Sequence, residues 1–188
     1  MISIGNIYRC CSNSKNIRNW RQAVTDPLTS LANRRYFETR LREEAGRARR
    51  HGSTFTLMMM DLDNFKPYND REGHPAGDAL LKAVARVIRA AARDTDLVSR
   101  FGGDEFAVVS PETNTAAALL LADRIRVAVA THAFDLPGLP LAGGLTISVG
   151  VAAFPEAADN TGELVRAADA ALYAAKAAGR NVVARAGV

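Results

Sequence analysis

The stretch Thr54 to Leu62, TFTLMMMDL, constrains this chain's fold more than any other. Its apolar residues run without alternation, so neither side is left for water, and the run ends in acid. This is the pattern of a short strand buried on both faces that emerges at Asp61. Segments of alternating character surround it. Asn33 caps a helix in which Phe37, Leu41 and Ala45 recur at helical spacing up to Gly52. The arginines along it (Arg40, Arg42, Arg47, Arg49, Arg50) interleave with Glu38, Glu43 and Glu44, which reads as a solvated helix face rather than a nucleic-acid stripe. After Asp61 the chain is polar and turn-rich up to Gly73. From Pro75 a second helix carries the stripe Leu80, Leu81, Val84, Val87 and Ile88. LVSRF and FAVVS read as strands joined through Gly102 and Gly103. Thr115 to Ala130 is a helix, LTISVGVAAF a strand, Gly162 to Ala178 a helix stopped by Gly179, and NVVAR a closing edge strand. The first six core elements follow a βαββαβ order, so the expected class is α+β with a ferredoxin-like sheet. In that arrangement the first strand and the hairpin are sheet neighbours, which brings Asp61 near Asp104.

With 188 residues, 48% hydrophobic and 23% charged, the chain has the size and make-up of one soluble domain with a short appendage. Composition shifts once: residues 1–24 read as a linker, the remnant of an upstream element or an added segment, and residues 25–188 as the domain. Cys10 and Cys11 are adjacent and form neither a disulfide framework nor a metal cluster. No apolar run has membrane-spanning length and no secretion signal is recognisable, so the expected location is the cytoplasm. The net charge of +4 suits an anionic partner without choosing among nucleotide, nucleic acid and membrane surface.

Asp61, Asp104 and Glu105, converging beside two glycines, suit a magnesium ion carrying a phosphate, since magnesium takes one or two carboxylates and shares its other sites with water and phosphate oxygens. On spacing alone Asp104 and Glu105 read equally well as solvent-facing turn residues, and Asp61 and Asp63 as the end of a strand. Asn69 and Asp78 complement the edge of guanine, yet Asn69 is also good turn chemistry and Asp78 sits where a helix start favours an acid. Lys176 and Arg180, four apart at a helix end, are favoured there by the helix dipole and could equally grip phosphates. His74 reads as a capping or packing residue, and His51 and His132 as surface residues.

The motif RFGGDEF, residues 100–106, resembles the signature of the GGDEF domains, the bacterial diguanylate cyclases that condense two GTP molecules into cyclic dimeric GMP. The likeness extends to DPLTSLANRRYF at 26–37, DLDNFKPYNDREGHPAGD at 61–78, RDTDLVSRFGGDEF at 93–106, TISVGVA at 146–152 and ADAALYAAKAAGRN at 168–181. Ser30 stands where the family commonly has glycine, and Pro67 falls at a variable position.

The resemblance implies metal ligation by Asp61, the backbone carbonyl of Leu62 and Asp104, with Mg2+ the expected ion and Mn2+ an alternative. It gives Glu105 either metal binding or deprotonation of the ribose 3'-hydroxyl. Guanine recognition falls on Asn69 and Asp78 with His74 beside the nucleotide, and triphosphate contacts on the backbone around Phe65 and Lys66 and the side chains of Lys176 and Arg180. An acid at Asp78 faces adenine's N1 acceptor unfavourably, so GTP is the expected substrate. RDTD resembles the family's inhibitory RxxD site, in which Arg93 and Asp96 hold product. The resemblance also implies a homodimer for catalysis, because each bound 3'-hydroxyl must attack the other nucleotide. The competing classes are a GGDEF module that senses GTP or cyclic di-GMP without turnover, and a basic nucleic-acid-binding domain, which the dispersed acids disfavour.

Overall fold

The computed structural model describes residues 23–139 and 144–187. The expected linker up to residue 22, with Cys10 and Cys11, lies outside the described residues. Eleven elements follow in the order β1 (Ala32–Asn33), α1 (Arg34–His51), β2 (Phe55–Asp63), α2 (Phe65–Glu72), α3 (His74–Ala91), β3 (Leu97–Gly102), β4 (Glu105–Pro111), α4 (Thr115–Thr131), β5 (Thr146–Phe154), α5 (Thr161–Ala177) and β6 (Val183–Arg185).

One sheet runs β1-β3-β4-β2-β5-β6. Its central four strands are antiparallel, and short parallel strands close both edges. The βαββαβ expectation holds for β2, α3, β3, β4, α4 and β5. The apolar run forms the middle of the sheet and is covered on both sides, as its lack of alternation requires. Met58, Met60 and Leu62 pack with Leu80, Val84 and Ile88 of α3 and Ile125 of α4. Phe55, Leu57 and Met59 pack with Phe37 and Leu41 of α1 and Leu164 and Leu172 of α5.

Local signals set the helix ends. The Asn33 side chain accepts from the Tyr36 amide, and Gly52 ends α1 in the left-handed conformation. Asn114 and Asn160 cap α4 and α5 in the same way. Two details differ from the sequence reading. The polar stretch before Gly73 is α2, an eight-residue helix whose Tyr68 is buried and donates to the Pro137 carbonyl at 3.0 Å. Glu44, expected on a solvated face, is buried with Arg47 beside it. His132 is exposed, as expected, and makes an edge contact with Phe134. Among the described residues no helix is long and apolar enough to cross a membrane.

Candidate active site

The β2–β4 register ends with Asp61 opposite Glu105, the first residue of β4. Asp104 lies in the turn just before it, where Gly103 takes a φ of +47° that disfavours other residues. The Leu62 amide donates to the Asp104 carbonyl at 3.3 Å, extending the ladder into the turn. Asp61 and Leu62, with Asp104 and Glu105 43 positions further along the sequence, therefore share one corner of the sheet.

That corner is crowded with negative charge. Burial pushes the Asp61 carboxyl up, the Lys176 hydrogen bond opposes this, and the neighbouring Asp104 adds to the rise. Lys176 reaches across from the end of α5 to place its Nζ 2.7 Å from Asp61 Oδ1. Glu105 is also pushed up, first by burial and then by Asp61, Asp104 and Asp169, with Lys176 the weaker opposing charge. Asp169 of α5 is raised by burial, which Arg34 only partly offsets.

Carboxylates that lift one another's proton affinity make a site that gains from a cation. Among the described residues no group of three or more His, Cys, Asp or Glu cages a metal. The donor set instead fits magnesium, which binds through one or two carboxylates and completes its octahedron with water and substrate phosphate.

Beyond Asp63 the backbone turns at Asn64 in the left-handed region (φ +60°), and α2 starts with no side-chain cap. Of its first three residues, Phe65 and Lys66 carry amide protons and Pro67 does not. These open amides at a helix start favour an anion. Lys66 is exposed beside them.

Asn69 and His74 meet where α2 joins α3, and Asp78 follows in the first turns of α3. Asn69 Nδ2 and His74 Nδ1 lie 3.0 Å apart, so His74, expected to cap or pack, partners Asn69. Asp78 is exposed one position after Gly77. Gly77 is essential to this cradle, because a Cβ there would stand 2.1 Å from Asn69 Oδ1 and 3.3 Å from the Phe65 ring.

Several residues that shape the site carried no recognised signal in the sequence. Asp63 is buried and accepts from Thr146 Oγ1 and Ser148 Oγ, both at 2.7 Å, and from the Asn181 amide at 3.0 Å. A hint was available, since an acid two residues past Asp61 must share its strand face and find partners there. Arg100 donates to the Gly103 carbonyl through Nε at 2.9 Å and Nη2 at 2.8 Å, pinning the turn that carries Asp104. Its Nη1 reaches Asp26 Oδ1 at 3.3 Å. Burial works to raise the Asp26 pKa, but hydrogen bonds from Thr29 and the Arg100 charge outweigh it and hold this carboxyl below its ordinary value.

Arg93 and Asp96 do not join this corner. They precede β3, whose six residues separate them from the hairpin turn by about 20 Å at roughly 3.3 Å per residue. Asp96 is buried and accepts from the Arg93 amide at 2.8 Å, so the two are joined through backbone rather than as a surface ion pair. Its Oδ1 is buried without a partner among the described residues, while the Arg93 side chain is exposed.

Comparison with known proteins matches this geometry to named relatives. The family model "Diguanylate cyclase, GGDEF domain" matches residues 23–182. Diguanylate cyclase DgcP of Pseudomonas aeruginosa is 43% identical over 162 residues, covering 86% of this chain and 24% of that protein. The probable diguanylate cyclase DgcT of Escherichia coli is 41% identical over 161 residues, covering 86% of this chain and 35% of that protein. The chain thus spans roughly a quarter to a third of the length of these curated relatives. Among solved structures, the GGDEF domain of DgcB from Caulobacter crescentus in complex with c-di-GMP superposes with a TM-score of 0.82 at 35% identity, covering 88% of this chain and 94% of that one. This chain belongs to the GGDEF domain family.

Proposed function

We propose that this chain is the cyclase domain of a diguanylate cyclase, condensing two GTP into cyclic di-GMP with release of two pyrophosphates. The observation that carries the proposal is the register of Asp61 opposite Glu105, with Asp104 in the adjoining turn and the Asn69, His74 and Asp78 cradle beyond β2. Guanine sits in the cradle, its N1 and N2 donors paired with Asn69 and Asp78 and His74 beside it. The Phe65 and Lys66 amides, with the Lys66, Lys176 and Arg180 side chains, hold the triphosphate and stabilise charge gathering on the reacting phosphate. Asp61, Asp104, the Leu62 carbonyl and Glu105 would hold Mg2+, or Mn2+ in its place. When bound, the ion neutralises phosphate charge and lowers the pKa of a coordinated hydroxyl.

Each domain binds one GTP, and two domains meet about a two-fold axis. The 3'-oxygen of each nucleotide then forms a bond to the other's α-phosphorus as the bond to pyrophosphate breaks. In this reading Glu105 either joins the metal or takes the 3'-hydroxyl proton. The distal turn suits feedback by product: Arg93 projects its guanidinium into solvent over a turn fixed by Asp96, a geometry able to grip guanine or phosphate. Arg93→Ala should abolish inhibition by added cyclic di-GMP and leave initial turnover within about twofold, because about 20 Å separates the two places.

The test is chromatographic separation of product formed from GTP and Mg2+ at high protein concentration, beside Asp104→Ala. Cyclic di-GMP from the wild type and a loss of about a thousandfold in the variant are expected. Binding of GTP by a pre-formed dimer without product would replace this reading with a nucleotide-sensing module.

A further inference from the structure

Three consecutive residues after α5 adopt positive φ: Gly179 at +117°, Arg180 at +65° and Asn181 at +50°. Glycine does this freely, whereas a side chain opposes it at each of the other two positions. Left-handed non-glycine residues in sequence persist only where their surroundings over-determine them.

The surroundings here are specific. The Asn181 amide donates to the buried Asp63 at 3.0 Å, tying the turn to the strand that bears Asp61. The Asn181 side chain is held from a different element: Arg126 of α4 donates from Nη1 to Asn181 Oδ1 at 2.9 Å. Arg126 is itself fixed by Asp123, with both Nε and Nη2 2.8 Å from Asp123 Oδ1, and its side chain is only 21% exposed. Arg180, the residue before this doubly anchored Asn181, is exposed and has no side-chain partner among the described residues.

We propose that Arg126 is a positioning residue for nucleotide binding: through Asn181 it locks the turn of residues 179–181 in its left-handed form and so aims the Arg180 guanidinium at the triphosphate. The proposal rests on the reading of Arg180 as a phosphate contact. It adds an α4 residue outside the nucleotide site that sets the site's affinity by holding a backbone conformation. Asp63 supplies the second anchor, at the amide, and Asp123 keeps the arginine fork in register.

The test is a double-mutant cycle on the full chain. Binding of 3'-deoxy-GTP with Mg2+, a nucleotide that cannot react through the missing hydroxyl, is measured by calorimetry, and exchange of the Asn181 amide by NMR. Arg180→Ala should weaken binding about tenfold and Arg126→Ala about fivefold. The double variant should lose no more than Arg180→Ala alone, because Arg126 acts through Arg180. Arg126→Lys, which keeps a charged donor, should recover part of the loss, and Asn181 amide protection should fall in Arg126→Ala. Unchanged protection in that variant overturns the lock outright. Additive losses in the double variant overturn the coupling to Arg180. A wild type that binds no nucleotide sinks the parent reading instead, and the lock is then judged by amide exchange alone.

Discussion

The acid corner and the proposed guanine cradle flank the end of β2 and are built by opposite means. At the corner the side chains disfavour one another: Asp61 and Glu105 are pushed up by burial and by neighbouring carboxylates, and Lys176 offsets only part of this. In the cradle what matters is space. Asn69 lies over the bare backbone of Gly77 and pairs with His74. The corner stores unfavourable charge that a cation would relieve, whereas the cradle stores shape that a base would fill. The two should therefore fail differently, the corner through charge at constant volume and the cradle through volume at constant charge.

The largest expected effect is at the corner. Glu105→Gln keeps size and removes a charge that burial, Asp61, Asp104 and Asp169 all oppose. Turnover should drop by about a hundredfold or more, as for loss of a general base or a metal ligand. Thermal stability at neutral pH should rise, because a buried repulsion is removed. A calorimetric scan beside a turnover assay checks both. A melting temperature that falls along with activity would mean that Glu105 is a structural support and that the corner is not frustrated.

The two regions were also unequally legible in the sequence. The corner could be read because its acids sit at the end of an unalternating apolar run and at the tip of a glycine turn, and strand order alone brings those places together. The cradle could be read only in part. Asn69 was visible as a residue type, but α2 was not, because Pro67 and a polar composition resemble a loop until Tyr68 is seen anchored on Pro137. Gly77 looked like any helical glycine, and its necessity appears only once Asn69 folds back over it. The two-residue β1 has no sequence pattern at all, since it exists by pairing with β3. Asp63, Arg126 and Asn181 escaped for the same reason: their partners lie 118 residues apart in the first case and 55 in the second. Resemblance supplied site roles that local pattern left open, but it supplied none of these supports.

Gly77→Ala carries the comparison to the cradle. The added methyl would stand 2.1 Å from Asn69 Oδ1, so the amide must leave its place, while helix α3 gains a better helix former. The expected outcome is an approximately tenfold rise in the KM for GTP, with kcat changed far less and no loss of melting temperature. Because Asn69 also partners His74, the KM ratio of variant to wild type should change only across the range where that histidine titrates. A kcat loss without a KM change would show that Gly77 serves the reaction step rather than base binding.

The smallest effect is in the pH dependence of stability, and its sign separates the corner from the Asp26 anchor. A carboxyl whose folded pKa is raised binds protons more tightly when folded, so stability falls as pH climbs from its ordinary value through the raised one. Glu105, Asp61 and Asp169 all act in this direction. Asp26 acts oppositely: its lowered pKa contributes stability that is present above the ordinary aspartate value and is lost as pH falls through the folded one. Wild-type melting temperature should therefore decline on the upper side of the ordinary carboxylate range. Glu105→Gln should flatten that decline and leave the acid-side loss intact, whereas Asp26→Asn should do the reverse and loosen the Arg100 clamp on Gly103. Gly77→Ala should shift the whole curve without changing its shape. If Glu105→Gln left the decline as steep as in the wild type, the repulsion at the corner would be screened by solvent. Cation binding there would then have to be driven by the substrate's phosphates alone.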